Sequence, residues 1–415
     1  MSEWYGELPE RWSLKRVGTL FSENTSSNAA LLSDIPMQFR FGEIVKKRII
    51  EKDDAFLESI RRYVVVQPND IMVNGLNLNY DFITQRVAIA HEKGCITPAY
   101  ISLRPNCYIN PMFACYLLKA MDGQKILNGL GTGIRLTLSF SELKKTYLPS
   151  PPLPEQDQIV RYLDWKVSQI NRLINAKRQQ IGLLQEQKRA VVNEAVTRSG
   201  EGWKYRRLKT LVRDINEKSS PKDNFYVGME NIISWTSEYI DTGINADGDS
   251  KTFAKGDILF GKLRPYLAKV YSPDLDGVCS GEFLVLRGFH GYLPFLKFFL
   301  LSYDFIMLVN ASTYGAKMPR ANWGFIGNCL MPFPPIEEQQ TIVAYLDNRC
   351  SSINRIIAKL GAEITLLHEY RTRLISDVVT GKLDVRGVAV PEYEAVEEAG
   401  GIADEEEAEG DDDAD

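Results

Sequence analysis

Histidine is scarce in this chain: its 415 residues include three, His91, His290 and His368, spread along the sequence. The six cysteines, Cys95, Cys107, Cys115, Cys279, Cys329 and Cys350, form no CxxC pair and no disulfide framework. They read as reduced, mostly buried thiols. A structural zinc site needs four such ligands converging, which these scattered residues do not offer. Nucleophilic catalysis through histidine has equally little material, and no GxSxG elbow occurs. No GxxxxGK loop followed by Ser or Thr is present, which argues against ATP hydrolysis by this chain. Asn128 to Gly133 is glycine-rich but lacks that Lys–Ser/Thr continuation, so it reads as a flexible loop. Also missing is the paired proline between Asp, Asn or Ser and an aromatic, which an amino-methyltransferase needs to hold a flipped base. Glu142-Leu143-Lys144 matches a nuclease fragment too short to carry weight. The N-terminus has no apolar signal-peptide core. The most apolar stretch, Tyr292 to Val309, is interrupted by Lys297 and Asp304, which fits a buried or amphipathic helix better than a membrane span. The expectation is a non-catalytic, cytoplasmic chain with no metal site of its own.

What is present begins with charge. The net charge is −5, but thirteen Asp and Glu and no basic residue fall between Pro391 and Asp415. Without that stretch the chain has 49 basic and 41 acidic residues, a balance of +8. Its few apolar side chains and mutual repulsion predict a disordered tail from residue 386 onward. The length predicts two or three domains.

The chain repeats itself. Pro151 to Ile174 (PPLPEQDQIVRYLDWKVSQINRLI) returns as Pro334 to Ile357 (PPIEEQQTIVAYLDNRCSSINRII), offset by 183 residues without a gap. Through Thr197 and Thr380 the two copies are identical at 20 of 47 positions. Weaker echoes precede each copy: Trp12 and Trp203, Asn69-Asp70-Ile71 and Gly256-Asp257-Ile258, and Gly133-Ile134-Arg135 against Lys317 to Arg320.

Paired prolines end the preceding segment, and Glu155-Gln156, like Glu338-Gln339, enter the first turn of a helix. A seven-residue register follows. Val160, Val167, Ile174, Ile181, Lys188 and Ala195 share one seam position; Leu163, Ile170, Lys177, Leu184 and Val191 share the other. The second copy repeats it from Val343 and Leu346 to Leu374 and Val378. This predicts a coiled coil of the two copies, each roughly 65 Å long at about 1.5 Å per residue, and the domain of over a hundred residues joining them lets them run antiparallel. The alternative is two amphipathic helices, each packed on its own domain. Lys177, Lys188 and Arg371 in the seam either fix register or snorkel at its edge.

Basic and polar loops mark the variable domains. Lys262, Arg264 and Tyr266 follow a predicted strand, Asp257 to Phe260, and Lys317 and Arg320 lie in a loop bounded by glycine and proline. The matching places in the first domain hold Asn74, Asn77, Asn79 and Tyr80, and Thr132 to Arg135. Arginine and lysine suit phosphates and guanine edges, and asparagine addresses adenine. Two loops recurring at equivalent places with different residues are what two readers of different words would show.

The duplicated PP…EQ helix, with a domain before each copy, resembles the specificity subunit of type I restriction–modification systems. The run of GAKMPRANW into MPFPPIEEQ is similar to the junction ending that family's recognition domains. The resemblance implies mixed α/β target recognition domains in tandem, separated by an antiparallel two-helix coiled coil with a pseudo-two-fold repeat. The domains would be 1–150 and 200–333, with helices at 151–199 and 334–385. It implies partners: double-stranded DNA, two modification subunits carrying S-adenosylmethionine, and restriction subunits using ATP and Mg. Arg135, Lys262, Arg264, Tyr266, Lys317 and Arg320 become candidate DNA contacts, with Asn74 and Asn77 as base readers. The helix entries Pro152, Glu155, Gln156, Pro335, Glu338 and Gln339 become candidates for the partner-subunit interface. Glu337 stands where the first copy has Pro154, and the acidic tail is no hallmark of that family. Two other readings stay open: a coiled-coil scaffold joining two protein-binding modules, and a stand-alone DNA-binding regulator.

Overall fold

The computed structural model describes residues 4–399, apart from 41, 49–52, 80–84, 135, 199, 201, 220–224, 244–249 and 316–317. The chain divides into two compact units, Met1–Lys177 with Ala362–Asp415, and Arg178–Gly361. Each unit thus takes one variable domain and about half of each long helix.

In the first unit, strand Ser13–Arg16 pairs antiparallel with Tyr147–Ser150 and joins the two ends of the variable domain. Between them lies a four-stranded antiparallel sheet in the order 21–23, 101–105, 71–73, 87–89. Helix Pro111–Gly123 packs on the strand at 87–89 and buries Phe113, Leu117 and Met121. The same core takes Leu163, Ile170 and Ile174 from the first long helix and Leu374 and Val378 from the second.

The second unit repeats this plan on a divergent sequence. Lys204–Arg207 pairs with Leu330–Phe333, and a four-stranded sheet runs 213–215, 283–287, 258–261, 270–271. A further sheet, 218–219, 250–253, 277–280, 226–227, is antiparallel except for its last pair. The Asn69-Asp70 and Gly256-Asp257 echoes now have a structural meaning. Asn69 (φ +75°) and Gly256 (φ +89°) make the left-handed turn into a central strand. The aspartates that follow are each 1% exposed. Asp70 accepts Arg104 Nη2 at 2.7 Å and Gln67 N–H at 2.9 Å; Asp257 accepts Arg287 Nη2 at 2.7 Å and Ala254 N–H at 2.7 Å. A buried carboxylate is tolerated only when paired in this way.

The long helices are Leu153–Thr197 and Ile336–Val379, within the predicted ranges. In the first unit Lys177 pairs with Glu363, and Arg371 Nη1 donates to Asn171 Oδ1 at 2.7 Å. In the second, Lys188 Nζ donates to Asn354 Oδ1 at 2.9 Å. Partners that rise on one helix as they fall on the other define antiparallel pairing, and all three polar seam residues are engaged rather than snorkelled. One part of the seam shifts: Val192 and Val196 are buried where the register predicts Val191 and Ala195. A straight helix drifts about 20° per heptad, which over nearly five heptads amounts to one residue position.

Two further expectations need correction. Tyr292–Val309 is two helices, Leu293–Leu300 and Tyr303–Ala311, bent by 57°. Ser302 ends the first by taking extended backbone and donating its hydroxyl to Phe299 O. Both are buried in the second unit's core, and no single helix among the described residues is long and apolar enough to cross a membrane. The C-terminal segment, expected to be disordered from 386, is docked as far as residue 399. Gln158 Nε2 donates to Val385 O and Val388 O at 3.0 and 2.7 Å, and polar side chains further along the first long helix hold residues 394–399. Composition registers the glutamates of this segment but not the Arg371 and His368 that meet Glu398. The rest of the tail, 400–415, lies outside the described residues.

Five of the six cysteines are buried, and burial pushes Cys95 up to about 11 and Cys279 up to about 12, so both stay protonated.

Candidate nucleic-acid interface

The two loops singled out in the second variable domain lie side by side. Strand Ile258–Gly261 ends in a turn through Lys262, Leu263 and Arg264. Arg264 N–H donates to Pro319 O at 2.8 Å, Ala321 N–H donates to Lys262 O at 2.9 Å, and Leu263 bridges to Arg320. Arg264 has φ +47°, and both it and Tyr266 are exposed. Arg320 is gripped by Glu282, with Nε to Oε2 and Nη2 to Oε1 both 3.2 Å. These hydrogen bonds raise its pKa further, so the guanidinium stays cationic and oriented. Lys317 lies outside the described residues.

Lys262 and Arg320 line a cleft of about 380 Å³ together with Lys218, Lys251 and Asp214. Lys251 is 9% exposed and donates Nζ to Phe283 O at 2.9 Å. Burial lowers its pKa, and Asp214 opposes that shift. Desolvation in turn raises the Asp214 carboxyl. A cleft walled by three lysines and an arginine, with aromatic Trp323 and Tyr314 in its lining, suits a polyanion.

The first variable domain builds the same frame with other residues. Asn74 N–H donates to Arg86 O at 2.8 Å, as Gly261 N–H does to Lys269 O at 2.8 Å. Leu138 N–H donates to Gly75 O at 2.9 Å, as Ala321 does to Lys262. Asn74 and Asn77 therefore stand in the places of Gly261 and Arg264, and Asn77 (φ +50°) shares Arg264's left-handed backbone. At Gly75 a Cβ would lie 2.4 Å from Leu138 O, so the close loop contact requires glycine. Asn77 is exposed and Asn74 half-buried. Arg135 lies outside the described residues. By the hydrogen-bond register, Thr137 is the counterpart of Arg320.

Sequence reasoning missed Arg86, Lys251 and Asp214. Arg86 is 1% exposed and donates to Leu76 O at 2.7 Å, Asn74 O at 3.3 Å and Asn77 O at 3.4 Å, which shapes the asparagine loop from beneath. A lone arginine opening the apolar run Val87–Ala90 was the available signal.

The helix entries divide. Pro152 and Pro335 are exposed and Glu338 is half-buried, so a partner can reach them. Gln156 and Gln339 are 0% and 1% exposed, which corrects their assignment to a partner interface. Gln156 donates Nε2 to Pro151 O at 2.9 Å and accepts Asn110 N–H at 2.7 Å; Gln339 does the same with Pro334 O at 2.8 Å and Tyr292 N–H at 2.8 Å. Each amide thus ties its long helix to the start of a domain helix, because a buried amide must be satisfied internally. Glu155 is likewise committed to Arg11 Nη2 at 2.7 Å and Trp12 Nε1 at 3.2 Å. Burial works to raise its carboxyl, and those two donors outweigh it, leaving the pKa lowered.

The described residues include no group of three or more His, Cys, Asp or Glu able to hold a metal. The geometry offers oriented cations and amides rather than a nucleophile with a base.

Comparison with known proteins agrees. The family model for the type I restriction modification DNA specificity domain matches residues 84–183 and 200–366. The chain is 21% identical to the type I restriction enzyme MjaVIII specificity subunit of Methanocaldococcus jannaschii, covering 92% of this chain and 95% of that protein. It is 22% identical to the putative MjaX specificity subunit of the same organism, over 92% and 96%. Its fold is similar to a solved chain from work on complex assembly and conformational transition of the type I R-M system, with TM-score 0.68, 16% identity, and coverage of 91% and 100%. The tandem recognition domains, the duplicated helices and the twofold family match lead to one conclusion: the chain belongs to the family of type I restriction–modification DNA specificity subunits.

Proposed function

We propose that each variable domain reads one part of a split, asymmetric duplex target, and that the chain delivers that sequence to two modification subunits and to ATP-dependent restriction subunits. One observation carries this reading. The turn at 74–77 held by Leu138 and the turn at 261–264 held by Ala321 share a hydrogen-bonded frame but carry different side chains. A shared frame fixes where a base edge meets the protein, and different side chains at that place select different bases. The chain itself supplies no catalytic group in this reading. S-adenosylmethionine, ATP and Mg belong to the partner subunits, and the assembly is cytoplasmic. The exposed Pro152 and Pro335 and the half-buried Glu338 at the helix entries are contact points for the modification subunits.

Co-expression with the modification subunit of the same system, followed by genome-wide mapping of methylated adenines, tests the proposal. The expected result is a co-purifying complex and one methylated motif split by an unspecified gap. A complex without any methylated motif overturns the reading in favour of a scaffold. Duplex binding without a complex favours a stand-alone regulator. Affinity for the split motif should fall steeply with added salt as phosphate contacts release counterions.

A further inference from the structure

The docked C-terminal segment points to a second groove of the same design. In the first unit, the first long helix grips the main chain of residues 394–399. Ser168 Oγ donates to Glu394 O at 3.1 Å and accepts Val396 N–H at 2.8 Å. Asn171 Nδ2 donates to Val396 O at 3.0 Å, and Asn175 both donates to Glu397 O and accepts Ala399 N–H, each at 2.9 Å. From the second long helix, Arg371 meets Glu398 at 2.6 Å and His368 meets it at 3.4 Å.

The 183-residue repeat sends these positions to known places in the second unit. Ser168, Asn171 and Asn175 become Ser351, Asn354 and Ala358; Arg371 and His368 become Lys188 and Gln185. All five counterparts line one cleft of about 580 Å³. The internal wiring is also repeated, since Asn354 Oδ1 accepts Lys188 Nζ just as Asn171 Oδ1 accepts Arg371 Nη1. Burial differs as a missing cover would require. Ser168 is 5% exposed, whereas Ser351 is exposed.

We infer that this cleft in the second unit docks a non-helical acidic peptide from a partner chain. Three cations, Lys188, Arg189 and Lys297, line it against Asp347 and Glu238, and Trp235 and Phe298 offer apolar wall. The occupant has the chemistry of the segment that fills the equivalent groove: main-chain amides for Ser351 and Asn354, and a carboxylate for Lys188. Ala358 replaces Asn175, so the second groove has one grip fewer and binds more weakly than the covalently tethered segment. This inference does not depend on the reading of DNA.

The test uses the full chain and a fluorescein-labelled nonapeptide with the sequence of Pro391–Ala399, followed by fluorescence anisotropy. Saturable binding is expected. It should weaken at least about ten-fold in Ser351→Arg and in Arg189→Glu and stay unchanged in Asn175→Ala, and a peptide with its glutamates replaced by lysine should not bind. Ser351 is exposed, so the blocking variant should keep the parent melting temperature; Arg189→Glu gives an independent check. Absence of saturable binding overturns the inference. So does binding that responds to Asn175→Ala and not to Ser351→Arg, which would mean exchange with the docked segment. Binding that appears only after removal of residues 400–415 would assign the cleft to this chain's own terminus and overturn the partner reading.

Discussion

Arg320 shows how much a single side chain depends on its surroundings. Its backbone is fixed by the bridges to Leu263 and Tyr314, and its guanidinium by Glu282. A cation held in one geometry can present a fork to a phosphate or a guanine edge without first losing rotamer freedom. Arg320→Ala should therefore weaken binding of the split target roughly ten-fold and relax selectivity in the second half-site only, read by methylation of targets varied one half at a time. Equal loss in both halves would remove Arg320 from the interface. The loops around it were legible in the sequence because glycine and proline bracket them and because they recur at matching places. Lys251 and Arg86 were not legible as site residues. Their roles come from burial and from carbonyls that only the fold brings near, at Phe283 and at Leu76. Gln156 and Gln339 were legible as important and misplaced in role. A repeated glutamine looks the same in sequence whether it faces a partner or its own chain.

The long helices were the most readable elements. Their 183-residue repeat and heptads gave both ends to within a few residues and the pairing of the two copies, while the antiparallel sense came from the family resemblance. The apolar stretch at 292–309 was read less well. A helix break made by one serine and an extended backbone leaves no periodic trace. Inserting seven residues into each long helix, after Lys177 and after Gly361, preserves the heptad register. It adds roughly 10 Å of helix, the rise of about three base pairs. The preferred gap in the methylated motif should lengthen by about that amount. An unchanged gap in a folded, active complex would show that the helices do not set the spacing.

For the whole molecule, charge and order do not divide where composition placed them. Residues 391–399 carry four of the thirteen terminal acidic groups and are docked; the nine that follow begin at Asp404. Removing 400–415 should leave the melting temperature unchanged and tighten non-specific duplex binding at low salt, since a block of nine negative charges no longer competes with phosphate. Removing 391–415 should in addition lower the melting temperature, because Ser168, Asn171 and Asn175 lose their main-chain partners. Equal melting temperatures for the two truncations would contradict the docked segment.

The buried glutamines carry a consequence for inheritance. Gln156 and Gln339 hold their domains by an amide N–H and a proline carbonyl, groups that do not depend on the side chains around them. A recombination event that delivered an unrelated recognition domain would find the same attachment waiting. New sequence preferences can thus be acquired by exchange of whole cassettes, leaving the scaffold that receives them unaltered.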